Sequence, residues 1–102
     1  MDMNELFKQA QQFQQKLGVI QEEMKKKTVT GTAGGGMVNV VVNGNNEVLD
    51  LGIEAELLTQ ENKQMIEDLV RSAVNDGLRK AKELGKREMG KLTGGMNIPG
   101  LF

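Results

Sequence analysis

One apolar stripe constrains what this chain can fold into more than any other feature. Met65, Ile66, Leu69, Val70, Ala73, Val74, Leu78, Ala81, Leu84 and Leu92 recur at helical spacing, which lays them along one face of a long helix. Thr59 is placed to cap its N-terminus, and Glu61 falls in the first turn, where a carboxylate suits the helix dipole. A helix over about 60–91 is ~45 Å long at 1.5 Å per residue. A compact chain of this size has a radius of gyration of only ~13 Å. Such a helix is too long for one small core, so either it protrudes or a partner covers it.

A second helix is predicted over 2–27. Met3, Leu6, Ala10, Phe13, Leu17, Ile20 and Met24 alternate spacings of three and four residues, a seam of three heptads, while Gln dominates the other faces. Gly18 is its weak point. Between the helices the pattern turns to strands. Thr28-Val29-Thr30 is β-branched, and Gly34-Gly35-Gly36 marks a turn or bulge. From Met37 to Asn43 the chain alternates, with Val38, Val40 and Val42 on one face. Asn43-Gly44-Asn45-Asn46 supplies hairpin turn residues. Glu47 to Ile53 alternates again, with Leu49, Leu51 and Ile53 opposite Val48, Asp50 and Gly52. The expected fold class is α+β: three antiparallel strands between two long helices, in one domain over 1–93. A Gly-rich tail over 94–102 is expected to be flexible.

A three-stranded sheet leaves edges that invite pairing across a two-fold. A homodimer with a shared β-core is the simplest solution, and its expected interface is Val38, Val40, Val42, Leu49, Leu51, Leu69 and Ala73.

Composition narrows function by exclusion. The chain has no Cys and no His, so it lacks a thiol nucleophile, the usual general base and the common zinc ligands. Nothing groups its carboxylates into a catalytic pair, and no enzyme activity, metal or cofactor is expected. Gly34-Gly35-Gly36 is not followed by the Lys-Ser/Thr of a phosphate-binding loop. The N-terminus lacks the progression of a signal peptide, and the chain's longest apolar run, Val40 to Val42, falls far short of a membrane span. The expectation is a cytoplasmic protein with neither a membrane nor a small-molecule substrate as partner.

The formal net charge is −1, yet the charge is polarised. Residues 28–58 carry Glu47, Asp50, Glu54 and Glu56 and no cation. Arg79, Lys80, Lys82, Lys86, Arg87 and Lys91 stand against only Glu83 and Glu88, roughly opposite the apolar stripe, and Lys25-Lys26-Lys27 closes the first helix. These nine cations are the candidate phosphate contacts. Each cluster also has a plainer explanation: lysines at a helix C-terminus complement its dipole, and Glu83 can pair with Arg87 on a solvated helix.

The residues Gly35-Gly36-Met37-Val38-Asn39-Val40-Val41-Val42-Asn43-Gly44, followed by Glu47-Val48-Leu49, resemble the glycine-rich hairpin of the YbaB/EbfC family. The run DLVRSAVNDGLRKA, Asp68 to Ala81, is similar to that family's second-helix signature, and MGKLTGGMNIPGLF, Met89 to Phe102, to its tail. The resemblance implies an α-β-β-β-α protomer and a tweezer-shaped homodimer of paired long helices. It also implies bacterial nucleoid-associated DNA binding linked to gene regulation, without catalysis. Gly77 stands where the motif leads one to expect Ala, a change expected to loosen the helix.

With three Phe, no Tyr and no Trp, the chain has little to stack on single-stranded bases. Three Arg offer few bidentate base contacts. Double-stranded DNA held through its phosphates, with little direct sequence readout, is the expected partner. The alternative is a holdase-type protein-binding module whose projecting helices grip apolar clients with Met89, Met96, Ile98 and Phe102.

Overall fold

A computed structural model describes residues 2–92; the expected tail at 94–102 lies outside them. The order is α1 (Met3–Lys26), β1 (Thr28–Ala33), β2 (Val38–Asn43), β3 (Val48–Ile53), short 3-10 turns at Ala55–Leu57 and Gln60–Asn62, and α2 (Lys63–Leu92). This is the α-β-β-β-α arrangement expected from the sequence.

Local chemistry sets the ends of α1. Asp2 caps the N-terminus, its Oδ1 accepting from the Glu5 amide at 2.8 Å. At the other end Lys27 is extended and the β2–β3 turn takes the last carbonyls. The Gly44 amide donates to Met24 O at 2.8 Å and Lys27 O at 3.0 Å, and Asn43 Nδ2 donates to Lys25 O at 3.3 Å. The helix is thus anchored to the sheet by its C-terminal turn. Thr59 does not cap α2 as expected. It precedes the Gln60–Asn62 turn without a side-chain bond, and α2 begins only at Lys63.

The sheet is antiparallel in the order β1-β2-β3. Gly34, Gly35 and Gly36 all have positive φ, at 63°, 67° and 95°, which is why glycine fills the β1–β2 turn. Val38, Val40 and Val42 point from the central strand into the core and are 0% exposed. One expectation for β3 changes. A bulge between Val41 and Val42 sets Val48 opposite Val42 while Asp50 faces Val41. Val48 therefore shares the helix side of the sheet with Leu51 and Ile53, because cross-strand partners share a face.

The helix α2 lies across β1 and β2, and the crossing is unusually close. A Cβ on Gly31 would fall inside the contact radius of Ala73 O and Gly77 N and lie 2.7 Å from Gly77 Cα. One on Gly77 would lie 2.8 Å from Val42 Cγ2. The glycine at 77 is thus a packing requirement: two residues without side chains let helix and strand backbones touch. Ile66, Leu69, Val70, Val74 and Leu78 pack around this contact.

The protrusion expected of α2 belongs mostly to α1. Ala73, Gly77, Ala81, Leu84, Glu88 and Met89 are buried along α2, whereas α1 buries only Met24. Every residue from 2 to 16 is exposed. The described chain measures 68 × 22 × 16 Å with a radius of gyration of 18.9 Å, well above the ~13 Å of a compact domain.

Candidate nucleic-acid interface

The nine candidate cations sit at the C-terminal turn of α1 and along the C-terminal half of α2, two stretches joined by the Lys27–Glu88 ion pair. Their chemistry divides them. Two carboxylates of α2 each hold a pair of cations.

The first is Asp76. Its Oδ2 accepts from the Thr32 amide of β1 at 3.0 Å and lies 3.0 Å from Lys80 Nζ, and its Oδ1 accepts from Arg79. These bonds, the Thr32 amide foremost, hold its pKa down from an ordinary 3.8 to about 2. Lys80 also donates to Thr30 O at 2.9 Å. The second is Glu88, a buried carboxylate. Lys27 Nζ donates to its Oε1 at 2.6 Å and Lys91 Nζ to the same oxygen at 3.4 Å. The Lys27 bond is the main reason its pKa stays below the ordinary value, against the opposing effect of burial. Lys25 pairs with Glu22 at 3.5 Å. Five of the nine, Lys25, Lys27, Arg79, Lys80 and Lys91, are thus already engaged with carboxylates.

The other four, Lys26, Lys82, Lys86 and Arg87, are exposed and have no ion-pair partner among the described residues. The expected Glu83–Arg87 pair does not form. Lys86 and Arg87 line a shallow groove with Lys80, Glu83, Val29 and Thr30, where α2 runs past the edge of β1. The dipole explanation of Lys25-Lys26-Lys27 loses force, because the hairpin already satisfies carbonyls at that helix end. Sequence reasoning passed over Lys16, which lines a second groove with Lys91 and Leu92 at the end of α2. It lies nine residues before Lys25 on the same helix, too far along the chain to register as part of a cluster.

The residues expected at a dimer interface also divide. Val38, Val40, Val42 and Ala73 are 0% exposed within a single chain. They have no surface left for a partner, because α2 packs on this face of the sheet and spends them on the protomer's own core. Leu69 is half-buried beside them. Only Leu49 and Leu51, at 53% and 46%, stay open.

A model of the YbaB/EbfC DNA-binding family matches residues 1–96. The chain belongs to that family. Among its relatives, a nucleoid-associated protein of Desulfotalea psychrophila is 54% identical over 99% of this chain and 95% of its own length. One from Caldanaerobacter subterraneus is 48% identical, covering 99% and 91%. The crystal structure of the uncharacterized protein HP0035 of Helicobacter pylori superimposes with a TM-score of 0.82 at 31% identity, covering 91% of this chain and 98% of that one. That family is described as one of DNA-binding proteins. No helix among the described residues is long and apolar enough to cross a membrane.

Proposed function

We propose that this protein is a non-catalytic, nucleoid-associated homodimer that holds duplex DNA by its phosphates, with low sequence specificity. In this role it alters DNA conformation and contributes to nucleoid organisation and gene regulation. The observation that carries the reading is the set of unengaged cations, Lys26 in the last turn of α1 and Lys82, Lys86 and Arg87 along the C-terminal half of α2. They release counterions on meeting phosphate without first breaking an internal ion pair. Low specificity follows from the arginines. Arg71 and Arg79 are paired with Asp68 and Asp76, which leaves Arg87 as the one guanidinium free for a bidentate base contact. The homodimer follows from α1, whose apolar seam through Met3, Leu6 and Phe13 is bare in the single chain; isolated helices of this kind are marginal in water.

The test is fluorescence anisotropy with a labelled random-sequence duplex over a range of salt. Affinity is expected to fall steeply and linearly on a log–log plot. K82E/K86E/R87E is expected to bind about 100-fold more weakly or worse, as reversed charges repel the phosphates. A flat salt dependence, or unchanged affinity in that variant, overturns the reading. Salt-resistant binding of apolar clients would instead favour the holdase alternative.

A further inference from the structure

The first helix is a lever held at one end. It spans 24 residues, ~36 Å at 1.5 Å per residue. It buries only Met24 and is exposed from 2 to 16, so its direction is decided at its last turn. Bonds from Asn43 and Gly44 tie that turn to the sheet. Against α2 it sets Met24 and, one turn on, Lys27. Met24 meets Gly85, where an added Cβ would lie 3.6 Å from Met24 Cε. Glycine offers no side chain there and methionine is flexible, so this contact yields easily. Lys27 meets Glu88, one turn beyond Gly85, with Nζ 2.6 Å from Oε1. Among the described residues this is the one ion pair that joins α2 to another part of the chain. Glu88 is also the most buried carboxylate of those pairs, its side chain 9% exposed. A buried carboxylate is strongly disfavoured without its cation. Beside the pair, a groove of about 510 Å³ lies between Lys16, Val19 and Glu23 of α1 and Lys91 and Leu92 of α2. It leaves α1 room to swing.

We propose that Glu88 is a positioning residue for DNA binding: by holding Lys27 it sets the direction of α1, and with it the distance from Lys16 and Lys8 to the free cations of α2. The inference rests on the phosphate-contact reading and deepens it, adding a carboxylate and two cations of the other helix. Lys8 and Lys16 are exposed and have no ion-pair partner among the described residues. Lys16 lies ~16 Å up the helix from Lys27 at 1.5 Å per residue, so a swing of about 20° displaces it by about 6 Å. That exceeds the rise of about 3.4 Å between successive phosphates of one strand. A loose α1 therefore loses register with phosphates that the α2 cations keep.

The sign of one substitution separates positioning from charge. Glu88→Gln removes a negative charge from among the cations, so charge alone would tighten duplex binding. Positioning predicts the opposite: affinity about five- to tenfold lower, and a log–log salt slope shallower by about 0.9 for each phosphate lost. The double variant K27M/E88Q keeps the parent's net charge without the pair, and is expected to bind as weakly as E88Q. The chain contains no cysteine, so spin labels on Q11C in α1 and S72C in α2, both exposed positions, report the helix direction without background. The labelled full-length chain is diluted with unlabelled chain, so that pulsed electron resonance reads distances within one copy. A narrow distribution is expected for the parent and a broad one for both Glu88 variants, with helix content unchanged by circular dichroism. Equal or tighter DNA binding by E88Q, parental affinity in the double variant, or an unchanged distance distribution each overturns the proposal. A parent whose affinity ignores salt overturns the phosphate reading instead, and the distances then decide by themselves whether Glu88 holds α1.

Discussion

The β1 and β3 edges belong to one sheet, yet they answer opposite demands. β1 lies under α2 at a contact so close that Gly31 and Gly77 must both lack side chains, and Asp76 and Lys80 close its outer edge. β3 has no such cover, and it carries leucines where β1 carries threonines. A small sheet with a single covering helix cannot bury both edges. The helix lies where backbone contact is closest, and the apolar residues Val48, Leu49 and Leu51 of β3 stay exposed. Charge follows the same division: the groove lined by Lys86 and Arg87 opens at the β1 side, and the apolar strip lies on β3.

A matched pair of glycine substitutions probes this difference most directly. Gly31→Ala, on β1, drives a methyl into the backbone of α2 and is expected to cost about 3 kcal/mol or more, read as a lower urea midpoint. Its counterpart on β3, Gly52→Ala, has only Asn39 O within reach, at 3.9 Å. Its stability should stay within about 0.5 kcal/mol of the parent. Equal losses at the two sites would break the contrast.

A smaller effect separates engaged from unengaged cations. Lys86→Ala should weaken duplex binding several-fold and reduce the slope of log affinity against log salt by about 0.9 for each phosphate no longer neutralised. Lys80→Ala removes a cation committed to Asp76 and Thr30 O and should change that slope less. Anisotropy titrations at a series of salt concentrations measure both; a larger effect from Lys80 would reverse the division.

The smallest expected effect is a pH dependence confined to acid. The carboxyl of Asp76 has a folded pKa of about 2 against an ordinary 3.8, so its ionised form is favoured by folding. Its contribution is complete above about pH 4 and is lost as pH falls toward 2. Glu88, also lowered, adds a loss of the same sign below its ordinary value of 4.5. Asp76→Asn should flatten the fall in urea midpoint between pH 4 and 2 and leave the slope at neutral pH unchanged. A variant with the parent's acid profile would show that the β1 edge is closed by other means.

Much of this was legible in the residues. Alternation fixed the inward face of β2, the three-and-four spacing located α1, and the glycine run marked the first turn, because these signals depend only on neighbours along the chain. The start of α2 was misread at Thr59, since short 3-10 turns share the sequence preferences of helix starts. The side taken by Val48 was misread because a bulge depends on two strands at once. The set of cations was readable as well. Which of them were spent was not, since Lys27 meets Glu88 across 61 positions and the Thr32 amide meets Asp76 across 44.

By itself the sequence determined the elements, their order, the polarised charge and the absence of histidine and cysteine. Each is a property of residue type and local period. Only the tertiary structure decided that Gly77 is a contact and not a defect, that Val38, Val40, Val42 and Ala73 serve the chain's own core, and that one edge of the sheet is closed while the other is open. Those outcomes turn on where α2 crosses the sheet. That crossing is set by the fit of two backbones at Gly31 and Gly77, far apart in the chain, and no local pattern encodes it.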